Sequence, residues 1–369
     1  MFRKFITKTM RLSDIFKKIE KQVEQQPKVK EIKEEVLQIK EKTVQQETEQ
    51  KPILSAEEVY SYCIFSIKSL FKELNSNKIN ISTSQILDSV KKIVENISKN
   101  ADELILYASY TTVDSYIYSH SVNTAIYTAF VASDLNFSSS DLEEITLCAL
   151  LHDIGMARIL NIISKSEKIT QEEYEEVKKH PEYTKIELSK INLPRSLKEL
   201  LEKVILQIHE RIDGSGYPHG TSGERIDFYS KIIAIADVYE AMTHPRPWKE
   251  RIIPYEAITS IVKQADKFDY SIAKVFVDKF SLFPPGSYVK LNTGEITRVV
   301  GVNRGSPLRP KVKIILTSEN KPAKENQIIN LLENTKIYIL EPIDETKLDI
   351  KDKRLLLQIR AQRWWVKET

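Results

Sequence analysis

The sequence predicts a mainly α-helical protein that is followed by a small C-terminal β-domain and a helical tail. Between about Ser55 and Phe283, apolar residues recur almost throughout at the three- and four-residue spacing of amphipathic helices. After Pro284-Pro285-Gly286, the pattern changes to short, β-branched stretches in which apolar and polar residues alternate. This change of period predicts that a second, β-rich part begins near residue 285.

The N-terminal part of the chain has a different composition. Residues 1–54 are rich in lysine, glutamate and glutamine and contain no glycine. Coiled-coil spacing holds only from Val29 to Ile39, and Pro27 interrupts any longer helix. The segment is therefore predicted to be a charged extension, partly helical and partly disordered, and a candidate surface for signalling partners or for a homodimer.

Local signals mark several helix ends in the helical part. A capping box predicts one helix start at Thr170, and a second capping box predicts another at Ser196. The second of these helices is expected to end near Arg211. Gly155, just after the LLHDI stretch, is suited to end the helix before it.

Four stretches in the C-terminal part, SYVKL, EITRVV, KVKIIL and KIYIL, are predicted strands. The final DKRLLLQIRAQRWWVKE has the pattern of a basic amphipathic helix carrying Trp364 and Trp365, which either packs on the β-domain or presents a partner surface. The predicted boundaries are 1–54 for the extension, 55–284 for the helical domain with 55–110 as its leading helices, 285–342 for the β-domain and 343–369 for the tail.

The composition excludes several classes of function. Of 369 residues, 41% are hydrophobic and 29% are charged, which is typical of a soluble globular protein. A net charge of +3 is too small to indicate a nucleic-acid polymer as partner. Cys63 and Cys148 form neither a disulfide framework nor a thiolate metal site, which favours the reducing cytoplasm. No stretch approaches the ~18 apolar residues of a transmembrane segment.

Histidines recur at a regular spacing along the helical part. Of the six in the chain, His120, His152, His180 and His209 follow one another about thirty residues apart. That length is about two antiparallel helices with their turns, so successive helices of a bundle can direct these side chains to one interior point.

Two aspartates strengthen the prediction of a metal site. Asp153 directly follows His152, and Asp237 lies in KIIAIADVYEAM, where nearly every neighbour is apolar. A buried lone carboxylate costs several kcal/mol, so Asp237 needs a metal ion, a salt bridge or a helix-end hydrogen bond. Histidine and carboxylate ligands without thiolates predict Fe, Mn, Zn, Co or Ni, and Asp153 has two oxygens with which to bridge two ions.

Glycines gather beside the last of these histidines. The chain has nine glycines and none before Gly155, yet Gly214, Gly216, Gly220 and Gly223 follow soon after His209. Such a cluster marks either an ordinary surface turn or a loop pressed against a ligand. Glu210, next to His209, is a candidate supporting partner for a metal ligand.

The order of five short stretches resembles the motif pattern of the HD-GYP family. These stretches are HSVNTA, LLHDIG, HP, HERIDGSGYP and IADVYEAMTHPRP. This family belongs to the HD superfamily of helical metal-dependent phosphohydrolases. The resemblance covers about residues 55–283, and the pairing of HDIG with DGSGYP is highly specific. It implies a bacterial phosphodiesterase that hydrolyses cyclic di-GMP to pGpG and often to GMP, by attack of a metal-bound hydroxide at a centre of two or three ions, usually iron or manganese.

The resemblance also implies roles for individual residues, with His152 and Asp153 as the catalytic pair. The implied metal ligands are His120, His152, Asp153, His180, His209 and Asp237. The implied substrate contacts are Gly216 and Tyr217, together with Arg246 and Lys249 at the phosphates. The alternatives are a structural role for the tyrosine ring and an exposed basic turn for the two cations.

Three positions depart from the family pattern. Ile208 replaces a usual second histidine, Met156 replaces a usual lysine, and Tyr116 stands where some members have a glutamate for a third metal. These departures predict two metals rather than three, with the second weakly held. They also leave an alternative function open, in which an inactive module binds metal or cyclic di-GMP and signals through partner proteins.

The intact His-Asp pair and the complete DGSGYP favour the enzyme over the inactive module. A third function, hydrolysis of nucleoside triphosphates or guanosine tetraphosphate by another kind of HD enzyme, is disfavoured by the GYP loop.

Overall fold

The structure is a computed structural model that describes residues 54–76, 78–109, 116–264, 266–323, 327–348 and 350. The predicted extension up to residue 53 and the predicted tail helix from residue 351 lie outside the described residues. Their proposed contacts with signalling partners therefore stay predictions.

The described part of the chain before residue 284 is helical, as the sequence predicts. Its eleven α-helices are α1 (Ala56–Asn75), α2 (Ser84–Ala108), α3 (Tyr116–Ala132), α4 (Ser139–Leu151), α5 (Leu160–Ile163), α6 (Gln171–Val177), α7 (His180–Ser189), α8 (Arg195–Ile205), α9 (Phe228–Thr243), α10 (Pro254–Lys263) and α11 (Tyr270–Phe280). A 3₁₀ helix follows α4 at Ile154–Ile159, and a second one precedes α9 at Gly223–Arg225.

Helix starts follow the capping signals in one of the two predicted cases. The capping box at Thr170 is present and starts α6. The capping box predicted at Ser196 is wrong, because α8 already begins at Arg195, directly after the extended Pro194. Proline holds a fixed φ and ends the preceding extended segment, so the helix starts before the serine can cap it. Helix α8 also ends at Ile205 rather than near Arg211, which leaves His209 in the turn that follows.

Helix α3 lies at the centre of the bundle. All of its residues except Tyr118 are buried, and it packs against α1, α2, α4, α9 and α11. In a helix that is buried on all sides, polar side chains normally have hydrogen-bond or ion-pair partners on neighbouring elements. His120 and Asn123 are such side chains on α3, so their partners indicate where the functional centre of the bundle lies.

The stretch Ser139–Ile163, which contains α4, is apolar enough to cross a membrane by length and composition alone. Within its 25 residues, an 18-residue window has a mean hydropathy of 1.4, but 72% of that window is buried inside the fold. That burial is what a core helix of a bundle requires. The same stretch carries His152 and Asp153 at the end of α4, inside the bundle.

The C-terminal part forms one antiparallel sheet, as the sequence predicts. Its strands are β1 (Tyr288–Leu291), β2 (Ile296–Gly301), β3 (Lys311–Leu316), β4 (Ile328–Asn330) and β5 (Ile339–Ile343), in the spatial order β4-β3-β2-β1-β5. Strand β4 has only three residues and was not predicted. Strand β5 starts three residues later than KIYIL predicts, since Arg309 Nη1 donates to the Ile337 carbonyl at 2.7 Å and so takes the place of a strand partner.

Candidate metal centre

Four histidines and two aspartates meet in the interior of the helical bundle, each at most 9% exposed. The elements that carry them are α3 for His120, the C-terminal end of α4 for His152 and Asp153, the first turn of α7 for His180, the turn after α8 for His209 and the middle of α9 for Asp237. All six residues predicted as metal ligands are therefore brought together.

The six side chains divide into two groups of potential ligands. The His120 group consists of His120, His152 and Asp237, and the His180 group consists of Asp153, His180 and His209. Within each group, one ligand atom from every residue lies within 4.8 Å of the others. Each group therefore offers three nitrogen or oxygen ligands to one ion.

The two aspartates face both groups. Asp153 Oδ1 lies 3.1 Å from His180 Nε2, and Asp153 Oδ2 lies 3.3 Å from His120 Nε2. Asp237 Oδ1 lies 3.1 Å from His120 Nε2, and Asp237 Oδ2 lies 3.6 Å from His209 Nδ1. Either carboxylate is thus positioned to give one oxygen to each group, as a carboxylate that bridges two neighbouring ions would.

Unpartnered atoms at this point fit divalent ions. His152 Nε2 and Asp153 Oδ1 are buried without a hydrogen-bond partner, although they lie 3.3 Å from each other. His180 Nε2 and His209 Nε2 face each other at 2.8 Å. Buried polar atoms are normally satisfied, so a cluster of unsatisfied ligand atoms fits a site that binds a cation. The donor set of imidazole and carboxylate suits Fe, Mn, Zn, Co or Ni.

The electrostatics favour the metal-binding forms of Asp153 and His209, whereas neighbouring carboxylates raise the pKa values of His120 and His152 against the effect of burial. Burial alone would raise the pKa of Asp153, but His152 and His180 hold it well below the usual range. Burial and the neighbouring His180 lower the pKa of His209 well below the usual range. An ionised carboxylate and a neutral imidazole are the forms that coordinate ions.

Hydrogen bonds orient three of the four rings through Nδ1. The Nδ1 atom of His152 lies 2.7 Å from the Ala149 carbonyl oxygen, and that of His180 lies 2.8 Å from the Val177 carbonyl oxygen. His120 Nδ1 pairs with the Glu240 carboxylate. Each of these contacts leaves Nε2 directed at the centre, as outer partners of metal-bound histidines do.

Glu240 is a functional residue that the sequence reasoning missed. It is 1% exposed, contacts His120 and accepts a hydrogen bond from Asn123 Nδ2 at 3.1 Å. Burial alone would raise the pKa of Glu240, but His120, His244 and Arg246 lower it to about 2. The available signal was its position one helical turn after Asp237, again among apolar neighbours.

We expect Glu240→Ala to weaken metal binding at the His120 group about 10–100-fold, since loss of an outer partner usually costs that much. Mn²⁺ titration of the purified chain measures this effect. The control is Glu224→Gln, because the Glu224 side chain is 97% exposed. Equal Mn²⁺ affinity of Glu240→Ala and the wild type would show that Glu240 does not support the centre.

Gly155 brings the His-Asp pair against α7 rather than ending a helix, so the predicted helix-ending role is wrong. Helix α4 ends at Leu151, and Gly155 lies inside the 3₁₀ helix that follows. A Cβ atom there would lie 2.3 Å from the Thr184 nitrogen and 2.4 Å from the His180 carbonyl oxygen. The absence of a side chain therefore allows His180 to reach Asp153.

The glycine loop (residues 213–220) folds back on the segment that carries His209. A Cβ atom on Gly216 would lie 2.4 Å from Glu210 Cα, and the Tyr217 amide donates to the His209 carbonyl at 3.2 Å. Glu210 supports this loop by accepting a hydrogen bond from the His219 amide at 2.8 Å, not by contacting a histidine ring. The glycine loop is thus packed against the segment that carries His209, and its contact with a ligand stays a prediction.

The two predicted phosphate contacts lie on a tight hairpin next to the N-terminal end of α3. The Arg246 amide donates to the Lys249 carbonyl at 2.9 Å, and the Lys249 amide donates back at 3.1 Å. The Arg246 guanidinium lies 5.9 Å from the ring centroid of Tyr116, which also meets the Trp248 ring edge-on at 5.4 Å. Tyr116 is one helical turn before His120, so the contact with its ring places Arg246 next to the helix that carries His120.

The three departures from the family pattern supply no ligand. Ile208 is fully buried and Met156 is 8% exposed, and both belong to the main hydrophobic core. The Tyr116 hydroxyl donates to the Ile163 carbonyl at 3.0 Å.

Comparison with known proteins agrees with this geometry. The family model described as "HD domain" matches residues 84–272, about half of the chain. The chain belongs to the HD domain family. A second model, described as "KOW domain associated with HD domain", matches residues 288–351 and so covers the sheet. The match confirms the HD fold that the motifs predict. It also confirms that the domain is of a kind that binds divalent metal ions.

Curated relatives resemble this HD-family chain over 40% to 72% of its length. Cyclic di-GMP phosphodiesterase PA4108 of Pseudomonas aeruginosa is 30% identical over 267 residues, which are 72% of this chain and 64% of that protein. Cyclic di-GMP phosphodiesterase PdeB of Borreliella burgdorferi is 32% identical over 244 residues, 65% of this chain and 63% of that protein. The 3'3'-cGAMP-specific phosphodiesterase 3 of Vibrio cholerae is 32% identical over 40% of this chain and 32% of that protein. The chain spans less than two thirds of each of these relatives.

Proposed function

We propose that this chain is an HD-GYP type phosphodiesterase that hydrolyses cyclic di-GMP to pGpG. The observation that carries the proposal is the pair of ligand groups, three residues each, that Asp153 and Asp237 both face. The names of two relatives, PA4108 and PdeB, both cyclic di-GMP phosphodiesterases, support the choice of substrate.

The six buried ligands would hold two divalent ions, and we propose iron or manganese. His120, His152 and Asp237 would bind one ion, and Asp153, His180 and His209 would bind the other. When bound, such ions activate water as the nucleophile and stabilise the charge that develops on the phosphoryl oxygens. The chain's own contribution is to hold the ligands: Ala149, Val177 and Glu240 fix three of the rings so that no ligand has to reorganise during the reaction.

The hairpin next to α3 would bind the phosphates of the substrate. The Arg246 guanidinium has a planar set of donors that suits phosphate oxygens, and its contact with the Tyr116 ring restricts its motion. Hydrolysis of cyclic di-GMP to pGpG breaks one P–O3' bond, and the oxygen of water takes the place of O3' on phosphorus. A cationic group beside the centre keeps the phosphate in line for that exchange.

We expect Arg246→Ala to lower kcat/KM about 10–100-fold, which is the loss expected when a charged hydrogen bond worth about 1.5–3 kcal/mol is removed. Metal content should not change, because Arg246 is not among the six ligands. Steady-state kinetics with a parallel metal assay measure both quantities. Arg195→Ala is the control, since the Arg195 side chain is 93% exposed; a kcat/KM for Arg246→Ala equal to the wild-type value would remove Arg246 from the substrate site.

The function is tested by anaerobic turnover after reconstitution with iron or manganese, beside a variant that carries both His152→Ala and Asp153→Ala. The substrates are cyclic di-GMP, 3'3'-cGAMP, a nucleoside triphosphate and guanosine tetraphosphate. Formation of pGpG or GMP by the wild type alone supports the proposal. Binding of cyclic di-GMP without turnover by the wild type would instead support the inactive signalling module, for which the losses at Ile208 and Met156 are the motivating observation.

Location and assembly complete the proposal. Cys63 and Cys148 are both free and buried, which is consistent with the cytoplasm as the place of action. A homodimer and signalling partners would use the N-terminal extension or the C-terminal tail, and both lie outside the described residues.

A further inference from the structure

His209 differs from the other three histidines of the centre in how its ring is held. His120, His152 and His180 each have Nδ1 paired with a carboxylate or a carbonyl outside the two ligand groups. The nearest acidic neighbour of His209 Nδ1 is Asp237 Oδ2 at 3.6 Å, which is beyond hydrogen-bond distance and belongs to the centre itself. Among the described residues, His209 therefore has no outer hydrogen bond that orients its ring.

A tyrosine ring takes the place of that hydrogen bond. The rings of Tyr217 and His209 are stacked, with centroids 4.9 Å apart and planes inclined by only 8°. The same tyrosine meets the His180 ring edge-on at 6.3 Å. A parallel ring in van der Waals contact restricts the tilt of the imidazole plane, which is the motion that would turn Nε2 away from the other ligands.

The glycine loop fixes the tyrosine against this histidine. The Tyr217 amide donates to the His209 carbonyl at 3.2 Å, and the His219 amide donates to Glu210 at 2.8 Å. Gly216 lies so close to the backbone of Glu210 that a Cβ atom has no space. The loop and the histidine segment are therefore joined on both sides of the stacked ring.

We propose that Tyr217 is a positioning residue that holds the His209 ring in the orientation required to bind a metal ion in the His180 group. The inference rests on the metal centre of the proposed function and adds a role that differs from the substrate contact predicted from sequence. One face of the tyrosine ring is already covered by His209. The role depends on the aromatic ring and not on the hydroxyl group.

The test is a titration of the substrate-free chain with Mn²⁺. The EPR signal of free Mn²⁺ measures how much of the ion is bound. We expect Tyr217→Leu to weaken one of two bound Mn²⁺ ions about tenfold or more and to leave the other unchanged. Tyr217→Phe should bind both ions like the wild type. Tyr229→Leu is the matched control, because Tyr229 is also half-buried but contacts Phe137 and Asp141 instead of the centre.

The outcomes separate this inference from the proposed function. Wild-type affinity for both ions in Tyr217→Leu, with only KM raised, would overturn the positioning role and leave the enzyme intact. Equal weakening by Tyr217→Phe and Tyr217→Leu would also overturn it, because the hydroxyl would then be the important group. Absence of Mn²⁺ binding by the wild type would contradict the metal centre itself. Tyr217→Met, which retains bulk without a ring, replaces the leucine variant if circular dichroism shows that the latter is unfolded.

Discussion

Asp153→Asn is expected to lower the turnover of cyclic di-GMP about 100- to 1,000-fold. Removal of one essential electrostatic contact from an active site has an effect of that size. Asparagine keeps the shape of the side chain but removes the charge. Asp153 Oδ1 faces His152 and His180, and Asp153 Oδ2 faces His120, so the change affects both ligand groups. Mn²⁺ titration and turnover of the same preparation measure the two consequences.

The comparison with His180→Ala makes this prediction specific. His180 belongs to one group only, so its loss should weaken one ion, whereas Asp153→Asn should weaken both. Asp266→Asn, at an exposed aspartate, should change neither. If Asp153→Asn affects only one ion, Asp153 does not bridge the two groups.

Gly155→Ala is expected to destabilise the fold by about 3 kcal/mol, the upper end for an overpacked core position. The added Cβ atom would lie 2.3 Å from the Thr184 nitrogen, and that backbone cannot move without α7. The Gly155 amide also donates to Thr184 Oγ1 at 3.0 Å, and Thr184 Oγ1 donates to the His152 carbonyl at 2.9 Å. Thermal unfolding should show a Tm lower by about 6–12 °C for a domain of this size.

The control for Gly155→Ala is Gly305→Ala. No atom lies within 4 Å of the Cβ position at Gly305, but its φ is +71°. The control therefore measures the cost of the backbone conformation alone, expected to be about 1 kcal/mol. A Tm for Gly155→Ala no lower than that of Gly305→Ala would mean that the contact between the His-Asp pair and α7 is loose.

Much of the centre could be predicted from the sequence, since its signals are local and periodic. The thirty-residue spacing of the histidines follows from the length of paired helices. Asp237 was recognised because a charge among apolar neighbours needs a partner, and the structure brings His120 and His152 to it. The change from helical to alternating spacing likewise predicted the sheet after Pro285.

Features that depend on packing between distant segments could not be predicted in this way. Glu240 looks like any helical glutamate until α9 packs against α3 and brings it to His120. The glycine cluster indicated a special loop, but no local pattern shows that Tyr217 stacks on His209. Strand β4 is too short to produce an alternating signal, and it exists because β3 offers it a paired edge.

The most direct test of the central claim is a crystal structure of the protein grown with Mn²⁺, with the ions located by anomalous scattering. The account predicts two peaks, one among His120, His152 and Asp237 and the other among Asp153, His180 and His209. Both aspartates should contact both ions. Absence of a peak from this buried cluster, or Mn²⁺ bound only at other sites, would contradict the proposed two-ion phosphodiesterase.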